Sequence, residues 1–408
     1  MGSWLTKEVV VMARTAPHEV TTNRVPTLYV ALELSKETWK LALATSRTGK
    51  VRIRNVKARD LDGFLEAIRL AKRYFGLREV APVRSCYEAG RDGFWIHRFL
   101  ESKGIQNWIV DPASIEVNRR QRRAKTDRLD AKKLVQLLAR QDDGEDVLRK
   151  VHAPPPEAED ERLLSRELDS LKRQRTRLVN QIRGKLFTQG VVLDRSVGSF
   201  KEQELLDLLE RTRQWNGSAL PPELMNTVRM CWAQYSLIAE QIKELEDRQR
   251  QLLRDARKGA QGVSPSVRKA AILSELRGIG EIGGFTLANE FFGWRSFNNR
   301  GEVGALAGLT GTPHQSGNSH RDQGISKSGN PRVRKIMIEL AWLWLRWQPD
   351  SKTTRWFHEH VGKGGSRSKR KAIVAVARKL LVELWHYVEH GVVPDGAILT
   401  NESRTPAA

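Results

Sequence analysis

Cysteine is nearly missing from this chain: Cys86 and Cys231 are the only two in 408 residues. Two thiols cannot build a disulfide scaffold, and such sparing use points to a reducing compartment. Long apolar runs are missing too. The best stretch, Ile336 to Leu345, is ten residues long and contains Glu339, against the roughly 20 needed to span a bilayer. The first residues, MGSWLTKEVVVMART, lack the apolar stretch of a signal peptide. Acid is scarce relative to base, with 48 Asp plus Glu against 70 Lys plus Arg and a net charge of +22. Hydrophobic residues, at 39%, still suffice for real cores and exclude wholesale disorder. The expectation is a soluble intracellular protein of two or three domains. Nucleic acid is its default partner, with an anionic membrane surface as the bland alternative.

The chain divides by pattern. Residues 1–26 carry Pro17, Pro26 and a Thr-Thr-Asn stretch and read as an arm. Leu28, Val30, Leu32 and Leu34 then alternate with Tyr29, Ala31 and Glu33, which is strand period. Trp39 to Leu43, Val51 to Ile53, Val80 to Tyr87 and Gln106 to Val110 suggest further strands. Helices are expected at Leu61 to Ala71 and at Asp92 to Lys103, the latter stopped by Gly104. Three antiparallel strands followed by alternating helices and strands predict an α/β domain with a mixed sheet over residues 27–150. His152 to Pro156 (HAPPP) is a linker. Leu164, Leu168, Leu171, Leu178, Ile182 and Leu186, then Val228, Trp232, Tyr235, Ile238, Ile242, Leu245 and Leu252, keep helical spacing on either side of a loop, Trp215 to Pro222. They predict a helical hairpin or coiled coil over 157–258, either a dimerisation arm or an ordinary helical subdomain. Residues 270–390 form a third, mainly helical unit, and 391–408 a loose tail.

Four acids stand out by position. Glu33 and Glu88 close predicted strands, while Asp127 and Asp130 are three apart on one helix face. Hard cations such as Mg²⁺ take oxygen ligands, and metal-assisted phosphoryl transfer needs carboxylates converging from different elements. The two helix acids lie inside a cationic run of Arg119, Arg120, Arg122, Arg123, Lys125, Arg128, Lys132 and Lys133. Acids there make sense where metal neutralises them and phosphates meet the bases. Taken singly, each acid could be a surface residue or a cap.

Residues 310–331 (TGTPHQSGNSHRDQGISKSGNP) read as a loop feeding a helix with Asn330 as cap and Pro331 at its first position. His314, His320, Arg321 and Lys327 surround Ser316, and Gly317 after it permits close approach of a phosphate. Ser319, Ser326 and Ser328 are rival positions, and an arbitrary loop serine usually bonds only backbone. Leu276 to Gly284 (LRGIGEIGG) reads as a helix, a turn through Gly278 and Gly280, and a helix, either offering backbone N–H groups to a phosphate or packing tightly. Further backbone contacts to nucleic acid are expected from Arg332, Arg334 and Lys335, and from the GKGGSRSKRK segment with Arg367, Lys369 and Arg370. Trp294, Trp342, Trp344 and Trp347 read as core.

Together ALELS (31–35), YEAG (87–90), VDPASIEVNR (110–119) and AKTDRLDAKKL (124–134) resemble the DEDD transposases, whose first domain is similar to the RuvC resolvase. LRGIG (276–280), Phe297, LAGLTGTP (306–313), QSG (315–317) and ISKSGNP (325–331) resemble the second domain of the same insertion-sequence family, numbered one hundred and ten. The resemblance covers roughly residues 27–390. It implies a RuvC/RNase H-like sheet domain whose Glu33, Glu88, Asp127 and Asp130 bind Mg²⁺. It also implies a second domain whose Ser316 is a nucleophile forming a covalent phosphoserine link. Implied partners are donor and target DNA, a structured bridge RNA and further copies of the chain as homodimer or homotetramer. The setting implied is the bacterial cytoplasm at the nucleoid, with no membrane. One position departs: the family's first acid is usually Asp, and the extra methylene of Glu33 moves its oxygens by about 1.5 Å. Two other readings stay open at this level, a Holliday-junction nuclease that hydrolyses with two metals and a non-catalytic nucleic-acid scaffold.

Overall fold

The computed structural model describes residues 25–115, 127–316, 319–361 and 365–400, which form two compact units, residues 1–153 and 154–408. Most of the expected N-terminal arm therefore lies outside the described residues. The alternation from Leu28 onward is strand β1 (Leu28–Glu33), followed by β2 (Thr38–Ala44) and β3 (Arg52–Lys57). Helix α1 (Leu61–Tyr74) starts where Asp60 accepts a hydrogen bond from the Gly63 amide at 2.9 Å. Then come β4 (Val83–Glu88), α2 (Trp95–Ser102), β5 (Gln106–Val110) and α3 (Asp127–Asp142). β4 starts at Val83, not Val80, because Pro82 cannot donate to a ladder and Val80 is 81% exposed.

The strand order is β3-β2-β1-β4-β5. β2 runs antiparallel to β1 and β3, whereas β1, β4 and β5 are parallel, so the sheet is mixed as expected. Strand alternation gives it two apolar faces. Leu28, Val30 and Leu32 pack with Phe64 and Ile68 of α1 and Ile96 and Leu100 of α2. Tyr29, Ala31, Ala42, Ala44 and Cys86 pack with Ala131, Leu134, Val135 and Leu138 of α3. The small side chains of Ala31, Ala42 and Ala44 let α3 lie close against the sheet.

The second unit begins after the proline run, with Pro156 at the first position of α4 (Pro156–Phe187). α5 (Glu202–Arg211) and α6 (Pro222–Arg257) follow. Leu168 and Leu171 meet Ile242, while Ile182 and Leu186 meet Val228 and Trp232, so α4 and α6 are antiparallel. The connection between them is more than a loop. Val197, Phe200, Leu205 and Leu209 form a small core with the ends of both long helices. The remaining elements are α7 (Pro265–Leu273), α8 (Glu281–Leu287), a π-helical turn at Ala288–Phe292, α9 (Arg300–Leu306), β6 (Gly311–Ser316), β7 (Ser319–Ile325), α10 (Pro331–Trp347), α11 (Lys352–Val361) and α12 (Ser366–His390). Their core centres on Phe285, Phe291, Phe292, Met337, Leu340, Trp344 and Leu380.

Two expectations are corrected here. Residues 310–331 are not a plain loop but carry the β6–β7 hairpin, with Ser316 opposite Ser319. A two-stranded ribbon needs cross-strand hydrogen bonds but no apolar face, so its sequence lacks the apolar runs that mark the large sheet. The C-terminal stretch is also tied down as far as residue 400: Thr400 donates to the Glu275 carbonyl at 2.7 Å, and Gln348 bonds both Arg277 and Ile398. Trp344 is core as expected, whereas Trp342 and Trp347 are 45% and 38% exposed. No helix among the described residues is long and apolar enough to cross a membrane.

Candidate functional site

Parallel pairing of β1 with β4 sets Leu32 beside Tyr87, so the next step along both strands sets Glu33 beside Glu88. By pleat parity the two acids share a face with Ala31 and Cys86, the face covered by α3. α3 runs antiparallel to these strands. Its last residue, Asp142, accepts a hydrogen bond from the Tyr29 hydroxyl at 2.6 Å and pairs with Arg84, while the Cys86 thiol lies 3.9 Å from the Leu134 carbonyl. From that point, Asp130 is one turn back along the helix, about 6 Å, and Glu88 is two residues on along the strand, about 6.6 Å. The first turn of α3 therefore stands over the strand ends that carry Glu33 and Glu88. The sheet brings the two glutamates together, and α3 brings Asp130 to the same end.

Glu88 is exposed, and Glu33 and Asp130 are half-buried. Glu33 also has Lys40 of β2 as its cross-strand neighbour. The side chain of Asp127 lies outside the described residues, as do Arg119, Arg120, Arg122, Arg123 and Lys125 and the side chain of Arg128. Among the described residues no three or more His, Cys, Asp or Glu form a group able to hold a metal ion, so Glu33, Glu88 and Asp130 do not close a site by themselves. The donors gathered at this sheet end are all carboxylates, which suits a hard divalent cation. Cys86, the one thiol nearby, is fully buried, and burial pushes its pKa up, so it stays protonated under α3.

In the second unit, Ser316 is the last residue of β6, at the turn end of the hairpin. Its side chain and those of His314, His320 and Arg321 lie outside the described residues. Of the rival serines, Ser328 donates to the Ser326 hydroxyl at 3.1 Å. The hairpin base is closed by backbone bonds from Ser326 to the Thr310 carbonyl at 2.9 Å and from Asn330 to the Leu306 carbonyl at 3.1 Å. Gly308 and Gly329 make this possible. Both have positive φ, and a Cβ on either would collide with the carbonyl of Ser328 or Leu306. Asn330 then caps α10, its side chain accepting from the Arg332 amide at 2.9 Å.

Sequence reading missed the residue that holds this cap. Glu290, in the π-helical turn, is fully buried. It accepts two hydrogen bonds from Arg166 of α4, at 2.7 and 2.9 Å, and one from the Asn330 amide group at 2.9 Å. Burial raises its pKa, but the Arg166 and Asn330 hydrogen bonds outweigh that and hold it below the ordinary value. The signal was available: an acid within an apolar run, ANEFF (288–292), demands a buried partner.

The remaining basic and glycine positions sort by environment. Gly278 (φ +90°) packs against α10, where a Cβ would stand 3.1 Å from that of Trp347, while Gly280 faces open space. Arg332 pairs with Asp169 at 2.8 Å, and Arg334 reaches the Ala307 carbonyl at 3.4 Å, so both have intramolecular partners. Lys327, Lys335, Lys369 and Arg370 are exposed, and the side chain of Arg367 lies outside the described residues.

Two family models match the chain in sequence order. The first, DEDD_Tnp_IS110, described as a transposase, matches residues 42–189, and the second, described as "Transposase IS116/IS110/IS902 family", matches residues 270–356. Glu88, Asp127 and Asp130 fall in the first span and Ser316 in the second, while Glu33 precedes the first. A protein of Sinorhizobium fredii (strain NBRC 101917 / NGR234) named "Putative transposase y4rJ" is 40% identical over 378 residues, covering 91% of this chain and 94% of its own. The "Transposase for insertion sequence element IS1111A" of Coxiella burnetii (strain RSA 493 / Nine Mile phase I) is 25% identical over 300 residues, 72% of this chain and 74% of its own. The "Transposase for insertion sequence element IS1328" of Yersinia enterocolitica is 25% identical over 199 residues, 48% of this chain and 54% of its own. A relative matched over nearly the whole of both chains, and two family models matched one after the other along it, lead to one statement: the chain belongs to the IS110 family of insertion-sequence transposases.

Proposed function

We propose that this transposase cuts and joins DNA with two devices, a carboxylate set that holds Mg²⁺ and a serine that carries the DNA between the two events. The set is Glu33, Glu88, Asp127 and Asp130, and the serine is Ser316. A structured RNA selects the DNA partners, as the family resemblance implies. The observation that carries the reading is the pair Glu33 and Glu88 on neighbouring parallel strand ends, under the first turn of α3. Acids drawn from two strands and a helix supply the oxygen donors that Mg²⁺ prefers, and a bound cation would neutralise charge developing on the scissile phosphate.

In the cutting step the Ser316 Oγ forms a bond to phosphorus as the P–O bond to the departing strand breaks. The hydroxyl proton leaves Oγ, and the departing oxygen takes up a proton. One phosphoester replaces another, so joining is the same exchange with the new strand's hydroxyl as nucleophile. The acids and the serine belong to different compact units, which leaves room for a site shared between protomers.

The test is a covalent protein–DNA adduct trapped by denaturation. It should form on wild-type chain and vanish in Ser316→Ala, in Asp127→Ala and after chelation of divalent metal. A Ser316→Ala chain that still cuts would instead support hydrolysis of the RuvC-like nuclease kind. Recovery of a structured RNA with the purified protein, whose sequence redirects the target, tests the guide.

A further inference from the structure

The serine hairpin forms one wall of a groove whose other walls are α9, α11 and α12. The groove has a volume of about 1080 Å³, at the upper end of small-ligand sites and open enough for a polymer. Arg300, Lys327, Lys352, Lys371, Arg378 and Lys379 line it, and all six are exposed. Four separate elements or loops deliver them, so this is not the solvated face of a single helix. Elsewhere in the unit, Arg166, Lys172 and Arg332 are paired with carboxylates. None of these six makes an ion pair with a carboxylate among the described residues. The acid lining the groove, Glu383, is half-buried and accepts a hydrogen bond from Thr353 at 2.6 Å. Glu383 feels the charges of Lys379 and Lys352, but one carboxylate cannot balance six cations, which therefore repel one another until a polyanion arrives.

Beneath the cations the surface is apolar, with Leu309, Ile325, Val374 and Val382. Trp356 also lines the groove, but its ring is already occupied: His360 stacks on it with centroids 4.6 Å apart, and the Lys379 ammonium lies 4.3 Å from its centroid. Gly311 and Gly324, on the two hairpin strands, face open space where a Cβ would stand, so the backbone itself can be approached. Cations at the rim and aliphatic side chains below suit an unpaired strand, with phosphates up and base faces down. An intact duplex hides its base faces and would use only the rim. β6 runs from this groove to Ser316, five strand steps or about 17 Å away.

We propose that this groove binds the unpaired DNA strand that enters or leaves Ser316. The choice of DNA rests on the reading of Ser316 as the DNA-attacking residue.

The experiment measures equilibrium binding of a short fluorescent oligothymidylate to the full-length chain by anisotropy, in chelator, so that no cutting occurs. The Lys352→Gln/Arg378→Gln variant should bind about 10-fold or more weakly. Its plot of log affinity against log salt should be shallower by about 1.4, or 0.7 for each phosphate that is no longer neutralised. Lys185→Gln/Lys243→Gln, on the long helices, should bind like wild type. The variant pair Lys327→Gln and Lys371→Gln repeats the test on independent exposed side chains, with thermal melting as the check that each variant folds. Wild-type affinity in both groove variants, or tighter binding of duplex DNA or of the matching RNA oligonucleotide than of the single DNA strand, would overturn the proposal. Ser316→Ala should retain strand binding while losing the covalent adduct. A wrong nucleophile assignment and a wrong groove assignment therefore fail in different assays.

Discussion

Glu88 stands exposed at the end of β4, whereas the Glu290 carboxylate is fully enclosed beside Arg166. Replacing each by its amide should separate chemistry from stability. Glu88→Gln should leave the melting temperature unchanged and reduce strand cutting by about 10²–10³-fold, the range for removing one preorganised charge from a reacting centre. Glu290→Gln should do the reverse first, destabilising by about 3 kcal/mol in urea titrations. That is the low end for breaking a buried ion pair, because the Arg166 side chain is 39% exposed. The same carboxylate should make stability acid-sensitive. Its folded pKa lies below the ordinary 4.5, so its contribution is full above that value and fades as pH falls through the folded pKa. Urea midpoints of wild type should therefore drop on acidification below 4.5 more steeply than those of Glu290→Gln.

Among elements, the serine hairpin depends on its base. Gly329→Ala would force a Cβ against the Leu306 carbonyl at a positive φ, so both strain and collision act. It should destabilise by about 1–3 kcal/mol, read by thermal melting, and lose adduct formation even where the chain remains folded. This hairpin marks where the sequence stopped being legible. β1, β2 and β5 were readable because a sheet covered on both faces asks for short, largely apolar runs, as in Leu28–Leu32, Trp39–Leu43 and Gln106–Val110. α3 was readable because Ala131, Leu134, Val135 and Leu138 repeat at helical spacing. β6 (GTPHQS) and β7 (SHRDQGI) offer no apolar alternation, and their clue was instead the two-residue Gly317-Asn318 between Ser316 and Ser319, a hairpin signature. The helix α5 was lost because Leu205 and Leu209 mean little until Phe200 and Trp232 are seen to close over them. For the candidate site, Glu33 and Glu88 could be placed at strand ends by pattern, but their adjacency needed the β1–β4 pairing, which no local sequence feature encodes. The groove was less legible still, because its cations come from segments far apart in the chain.

At the scale of the whole molecule, the net charge of +22 sets how binding responds to salt. If duplex DNA meets 6–10 cationic side chains, its affinity should fall by about 10³–10⁵ between 50 and 200 mM salt. The division into two units gives a second test at this scale. Mixing Asp127→Ala chains with Ser316→Ala chains should restore cutting in some mixed oligomers if acids and serine act across protomers. No cutting at any ratio would argue against a site built across protomers. The two cysteines decide how such assemblies can be watched. Cys86 and Cys231 are both buried, one beneath α3 and one between the long helices, so the native surface is silent toward thiol reagents. A Ser316→Cys chain would carry one added thiol beside two buried ones. The rate at which that thiol is alkylated, alone and then with DNA, RNA or a second protomer present, would report which of them covers the hairpin turn.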